Sequence, residues 1–159
     1  INTNIIRPFN VYGPGMNQKD YRILPNFISN ILNKKPVNIY GTGKQKRTYC
    51  YISDALEGFL RVIAKGTSGE AYNIGTNSPE ISVIKLVSIL QKIHDKKIYS
   101  KKINYPKSYP EDEPMRRCPD ISKAKKDLNF IPKVKIKDGL INYINWAKKN
   151  YKISTKEND

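Results

Sequence analysis

Six arginines stand among the 29 basic residues of this 159-residue chain: Arg7, Arg22, Arg47, Arg61, Arg116 and Arg117. Where a composition leans on lysine, asparagine and isoleucine, lysine serves wherever a point charge is enough. An arginine then marks a task for a planar fork that can hold a carboxylate or phosphate with two bonds. Arg22, Arg47, Arg116 and Arg117 lie in segments punctuated by proline and glycine, and are the candidates for phosphate contacts. Other chemistries are poorly served. His94, the single histidine, sits in a polar, lysine-rich stretch and reads as a surface side chain, since a metal site needs clustered ligands. Cys50 and Cys118 lie outside any Cys-x-x-Cys spacing, so they suggest neither a zinc site nor a disulfide framework; they read as inert thiols suited to a reducing cytoplasm. Gly41-Thr42-Gly43-Lys44 lacks the four-residue spacer and Lys-Ser/Thr ending of a phosphate loop, and no Gly-x-Gly-x-x-Gly turn occurs.

The elements that must position these residues alternate in type. Residues 3–7 read as a strand, followed by a loop carrying Pro8, Gly13, Pro14 and Gly15. Leu24, Phe27, Ile28, Ile31 and Leu32 recur at helical spacing until Lys34, Lys35 and Pro36 end the helix. A strand over 37–40 leads through Gly41 and Gly43 to a second over 48–52. Asp54 is the expected cap of the next helix, with Glu57 as reciprocal partner and Leu56, Phe59, Leu60 and Ile63 as its buried stripe. After Gly66 and Gly69, 71–74 is a strand, and Ser82 opens a helix facing inward through Val83, Leu86, Val87, Leu90 and Ile93. Residues 98–104 look extended and basic. The four prolines of 105–119 exclude a helix and suggest an ordered loop or lid. Helices return over 122–128 and 138–151, the second burying Leu140, Tyr143, Ile144, Ala147 and Tyr151, and 154–159 reads as a frayed tail. Mixed helices and short, separated strands predict an α/β arrangement.

A formal charge of +15 would suit a polyanion partner. The lysines, however, are spread as doublets along the whole chain, which describes a solvated surface better than a nucleic-acid patch. The one stretch with aromatic residues between lysines, Tyr99, Tyr105 and Tyr109 among Lys97, Lys101, Lys102 and Lys107, keeps a basic RNA- or polyanion-binding module as the alternative of another class. Apolar runs stop well short of the roughly 20 residues of a membrane span.

Four ordered segments carry a resemblance. They are Arg7-Pro8-Phe9-Asn10-Val11-Tyr12-Gly13-Pro14-Gly15-Met16, Asp20-Tyr21-Arg22-Ile23-Leu24-Pro25-Asn26-Phe27-Ile28, the run from Tyr40 to Ala55 containing Gly41-Thr42-Gly43 and Arg47-Thr48-Tyr49, and Pro114-Met115-Arg116-Arg117-Cys118-Pro119-Asp120-Ile121-Ser122. With Ala71-Tyr72-Asn73-Ile74-Gly75 they resemble the C-terminal half of the NAD-dependent epimerase/dehydratase family, the extended short-chain dehydrogenases that act on nucleotide sugars. The Pro-Asp-Ile segment is most similar to UDP-glucuronate decarboxylases; 4-epimerases and 4,6-dehydratases share the earlier motifs.

The resemblance implies an α/β fold comprising the substrate-binding part of such an enzyme and the last strand or strands of its Rossmann sheet, the N-terminal Rossmann portion being absent. It implies 1–12 as the end of the NAD-binding domain, 13–151 as the nucleotide-sugar subdomain and 152–159 as a flexible tail. Pro8, Phe9 and Val11 would lie against NAD. Asn10 would reach the substrate diphosphate, Arg47 and Arg117 would clamp it, and Arg22, Ile23 and Leu24 with Asn38, Ile39 and Tyr40 would border the nucleotide. The family's Tyr-x-x-x-Lys pair is not found; Tyr40 and Lys44 have the spacing but fall in a glycine loop. No catalytic residue or metal ligand is therefore assigned in this chain, which begins with Ile1 and is expected to be a piece of a longer or split enzyme, inactive alone and showing exposed apolar patches. The parent enzyme would be a cytoplasmic homodimer binding a UDP-sugar and working through a 4-keto sugar.

Overall fold

The structure is a computed structural model describing residues 1–105 and 114–153. In chain order its elements are β1 (Ile5–Pro8), β2 (Val11–Tyr12), α1 (Ile23–Leu32), β3 (Val37–Tyr40), β4 (Lys46–Arg47), β5 (Cys50–Tyr51), α2 (Ile52–Lys65), β6 (Ala71–Ile74), β7 (Ile81–Ser82), α3 (Val83–Ile93), β8 (Ser100–Ile103), β9 (Arg116–Arg117), α4 (Ser122–Leu128) and α5 (Ile136–Asn150). The α/β expectation holds. The expected proline-rich loop falls largely on 106–113, and the expected tail on 154–159, both outside the described residues.

Two cores divide the interior. In one, β1 and β6 pair in parallel, Ile5 opposite Ala71 and Pro8 opposite Ile74. Val62 of α2 and Ala124 and Leu128 of α4 pack there with Tyr72, Ile74 and Phe130. In the other, α1, α3 and α5 gather around β3 through Leu24, Phe27, Ile28, Val37, Leu86, Leu90, Leu140 and Tyr143. The helix residues named, with Val37, Tyr72, Ile74 and Phe130, are at most 2% exposed, the dense packing that gives a short chain its stability. Small strand pairs join the halves: β2 runs parallel to β5, and β4 lies between antiparallel β7 and parallel β9.

Three expectations need correction. The strand over 48–52 is not continuous. Arg47 pairs with β7 and β9 while Cys50 pairs with Val11 of β2, so the chain changes partners at Thr48 and Tyr49 and is already helical at Ile52. Asp54 is not a cap: Tyr51 holds that position without a capping side chain. Instead Asp54, 4% exposed, accepts the N–H groups of Lys133 and Val134, each at 2.9 Å, tying the start of α2 to the loop between α4 and α5. Glu57 turns to Arg61 at 2.7 Å.

The third concerns the α2 stripe, which is rotated. Asp54, Ala55, Gly58 and Val62 face inward, and Phe59 is partly buried, whereas Leu56, Leu60 and Ile63 are 52%, 66% and 77% exposed. Gly58 is the cause: a Cβ there would stand 2.5 Å from Ile74 Cγ2, so the helix approaches β6 more closely than any larger residue allows, with its small side inward. The outcome agrees with the expected exposed apolar surface. Ser82 does cap α3, accepting from the Lys85 N–H at 3.1 Å, and α5 buries the expected face.

Candidate functional site

Backbone bonds bring three of the sequence motifs to one place. At the end of β1, the Phe9 N–H donates to Ile74 O at 2.9 Å, and Asn10 then turns into the left-handed region at φ 46°. That turn, which asparagine tolerates better than most residues, lets Asn10 O accept the Cys50 N–H at 3.1 Å. Its side-chain Nδ2 is buried with no hydrogen-bond partner. A buried donor left unmatched costs stability, so it points to an acceptor that the described residues do not supply. Gly75 closes the floor, where a Cβ would meet Phe9 Cβ at 2.9 Å and Pro119 Cγ at 3.1 Å. Pro8 is exposed, and Val11 is partly buried.

The four candidate arginines separate into two pairs. Arg22 is gripped by Asp20, with Nη2 at 2.6 Å from Oδ2 and Nε at 2.9 Å from the same oxygen, and this hydrogen bonding holds the Asp20 carboxyl below its ordinary range. Arg116 forms a two-pronged bond to Glu80, both contacts at 2.8 Å, which lowers the Glu80 carboxyl likewise. Arg47 and Arg117, by contrast, are register partners across β4 and β9. In a parallel ladder such partners project to the same face. Arg47 is 8% exposed and also donates through Nη1 to Lys46 O at 2.8 Å, while Arg117 is exposed. The Thr48 N–H to Arg117 O bond and the Cys50 N–H to Asn10 O bond put both arginines within a few residues of Asn10.

The remaining candidates form a separate wall, α1 against β3. Leu24 and Ile39 belong to the core at 2% and 5% exposure, and Ile23 packs against it, so these side chains serve packing. Asn38 keeps a buried, unpartnered Oδ1. Tyr40 stacks on Tyr105 with ring centroids 5.7 Å apart and planes at 19°, and Gln45 Nε2 reaches both Tyr40 O and Tyr105 Oη. Gln45, and the meeting of Tyr105 with it and with Tyr40, escaped sequence reasoning, because nothing in their spacing says that residues 60 positions apart meet. Tyr99 is exposed beneath Lys97, and Tyr109 lies outside the described residues.

A cleft of about 390 Å³ runs past Val11, Tyr12, Met16, Asp20 and Arg22. A larger cavity of about 730 Å³ involves none of the candidate residues. Among the described residues no group of histidine, cysteine or carboxylate side chains could hold a metal, and no helix is long and apolar enough to cross a membrane. Tyr40 ends a strand and Lys44 lies in the following turn, so that pair has no helical Tyr-x-x-x-Lys geometry.

Parallel strands with covering helices, joined to a second core by arginine-bearing strands, make an α/β fold, and the comparisons agree. Residues 1–75 match the NAD dependent epimerase/dehydratase family. Over 141 residues it is 38% identical to UDP-glucuronic acid decarboxylase 3 of Arabidopsis thaliana, covering 88% of this chain and 39% of that protein. To the human dTDP-D-glucose 4,6-dehydratase it is 37% identical over 150 residues, covering 92% of this chain and 42% of the relative. The crystal structure of UDP-glucuronic acid 4-epimerase from Bacillus cereus, in complex with UDP-glucuronic acid and NAD, superposes with a TM-score of 0.82 at 33% identity, over 92% of this chain and 45% of that one. The chain thus spans less than half the length of the relatives it matches.

Proposed function

We propose that this chain is the nucleotide-sugar-binding half of an NAD-dependent enzyme of the UDP-glucuronate decarboxylase type. The observation that carries the reading is the register of Arg47 with Arg117 beside the unmatched Asn10 amide. Two guanidinium groups on one face, with an N–H donor close by, suit a diphosphate, whose oxygens accept from both forks and from the amide. Arg22 stands apart, held by Asp20, so its part is to border the nucleotide rather than to clamp phosphate. Asn38 and Tyr40 face the base from β3, with Leu24, Ile23 and Ile39 as the packed support behind them.

The relatives' cofactor fits only one edge of this chain. Gly75 and Phe9 close the ends of β1 and β6 together, leaving Pro8 exposed and Val11 half-buried, a surface suited to a flat ring. Pro8, Phe9 and Val11 would line the nicotinamide, and bound NAD supplies reversible hydride chemistry at the sugar's C4. The residues present here bind and orient the sugar nucleotide; proton transfer at C4 needs the Tyr-x-x-x-Lys pair that this sequence lacks. A 4-epimerase or 4,6-dehydratase is the second reading, favoured by the identity to the dehydratase. The complete enzyme is read as a cytoplasmic homodimer.

Calorimetric titration with UDP and with UDP-glucuronate tests the binding. Saturable binding is expected, weakened at least about tenfold in Arg47→Ala and in Arg117→Ala, as the loss of a charge-assisted bond implies. Binding that survives both substitutions would overturn the assignment.

A further inference from the structure

The 730 Å³ cavity lies between the loop after β6, the start of α4 and the loop joining α4 to α5; no diphosphate candidate lines it, although its Ile81 is the register partner of Arg47 and its Tyr49 lies two residues beyond Arg47. Its walls are of two kinds. Ile81, Ile121 and Phe130 form an apolar floor, each no more than 4% exposed. Lys125, Lys133 and Lys135 stand on the rim, opposed by a single lining carboxylate, Asp120.

That carboxylate is already engaged, since Asp120 Oδ1 accepts the Ser122 N–H at 2.8 Å. Lys133 has Glu57 only at 3.8 Å, and among the described residues no ion pair involves Lys125 or Lys135. A second observation is independent of charge. Tyr49 lines the cavity, is 7% exposed, and keeps its hydroxyl buried with no hydrogen-bond partner. Burial pushes that hydroxyl's pKa up to about 12, so it remains a proton donor at any working pH. Buried hydroxyls are nearly always matched, and an unmatched one on a residue that lines a cavity is a donor without an acceptor.

The geometry points to a second ligand site here, one for an organic phosphate monoester with a flat apolar body. The phosphoryl group would sit among Lys125, Lys133 and Lys135, and the body would lie over Ile121 and Phe130 with an oxygen accepting from Tyr49. Ammonium groups act as point charges toward phosphate, and the rim's excess of two positive charges matches a dianion better than a carboxylate. The volume suits a molecule of drug or nucleotide size. This site does not depend on the arginine assignment, and the two can be separated by experiment.

The probe is 1-naphthyl phosphate, titrated calorimetrically into the full chain, with 1-naphthol and inorganic phosphate as half-ligands. The naphthyl phosphate is expected to bind saturably and more tightly than either half, more weakly as salt is raised, and to remain bound at saturating UDP. Lys125→Glu combined with Lys135→Glu should weaken it at least about tenfold, the scale of charge-assisted contacts. Tyr49→Phe should weaken it several-fold while leaving the melting temperature unchanged or higher, because the hydroxyl it removes bonds nothing in the free protein. Absence of binding, displacement by UDP, indifference to the double charge reversal, or equal affinity in Tyr49→Phe would each overturn the proposal. Should UDP itself not bind, the reading of the arginines fails, and the lysine and tyrosine variants still decide this one.

Discussion

Asp54 shows how one side chain can hold two parts of a chain together from a position that looks local. Its two bonds to the Lys133 and Val134 N–H groups join the start of α2 to the loop between the cores. Asp54→Ala should lower stability by about 2 kcal/mol, the order expected when hydrogen bonds to a buried carboxylate are lost, and Asp54→Asn by less because it keeps an acceptor. Denaturant melts of the two variants check this. The cysteines differ in the same residue-level way: Cys50 is fully buried and its thiol is pushed up to about 11, whereas Cys118 is only partly buried. A disulfide reagent at pH 8 should therefore modify one thiol in the native chain and both in denaturant. Sequence reasoning read both cysteines as inert and proposed Arg47 and Arg117 as a pair, and it read Asp54 as a cap, which the structure corrects. A carboxylate at a helix start fits either role, and only the return of the chain near residue 133 decides between them.

Among the elements, α2 and the β4–β9 pair teach most. Strands 37–40 and 71–74 and the helix 122–128 were legible to the residue, because alternation and spacing repeat over several positions and turn residues bound them. The face of α2 was not legible. Four large apolar residues suggested one side, and the close approach at Gly58 selected the other. Gly58→Ala should consequently destabilise the chain by about 1–3 kcal/mol despite alanine's better helix propensity, since overpacking against Ile74 and Phe130 (Cβ to Phe130 Cε2 3.0 Å) outweighs that gain. On the opposite face, Leu60→Lys should change the melting temperature little and raise the concentration at which the chain stays dispersed, measurable by light scattering. Two-residue strands such as β4 and β9 carry no periodicity to read. Their pairing across 70 positions could come only from the family resemblance or the structure.

Among the described residues, the interior holds hydroxyls and a thiol alongside two charged side chains, Arg47 and Asp54. Tyr49 and Cys50 are pushed up to about 12 and about 11 from ordinary values of 10.0 and 9.0, chiefly by burial, and Tyr12 and Tyr143 are raised further. Raised folded-state values mean that the native chain holds these protons longer than the unfolded chain does. Their contribution is complete below pH 9 and is lost as the pH rises through the folded values. The melting temperature should thus fall from about pH 9 upward, checked by calorimetry between pH 6 and 11. On the acid side, Asp20, Glu57 and Glu80 are lowered by hydrogen bonds from arginine partners on exposed or half-buried positions, so stability is lost as the pH drops below their ordinary 3.8 to 4.5; solvent screening keeps that loss the smaller of the two.

The register of Arg47 with Arg117 also sets an order in time. Neither strand can find the other until the intervening chain, with α2, β6 and α3, has taken shape, because closing so long a loop early costs entropy with nothing yet to offset it. Trp146, half-buried and packed on Tyr143 and Tyr151 at the edge of the helical core, should report collapse during refolding before any capacity to bind a diphosphate returns. A stopped-flow experiment would see the interval directly, and the lag would measure how late this chain becomes able to recognise anything.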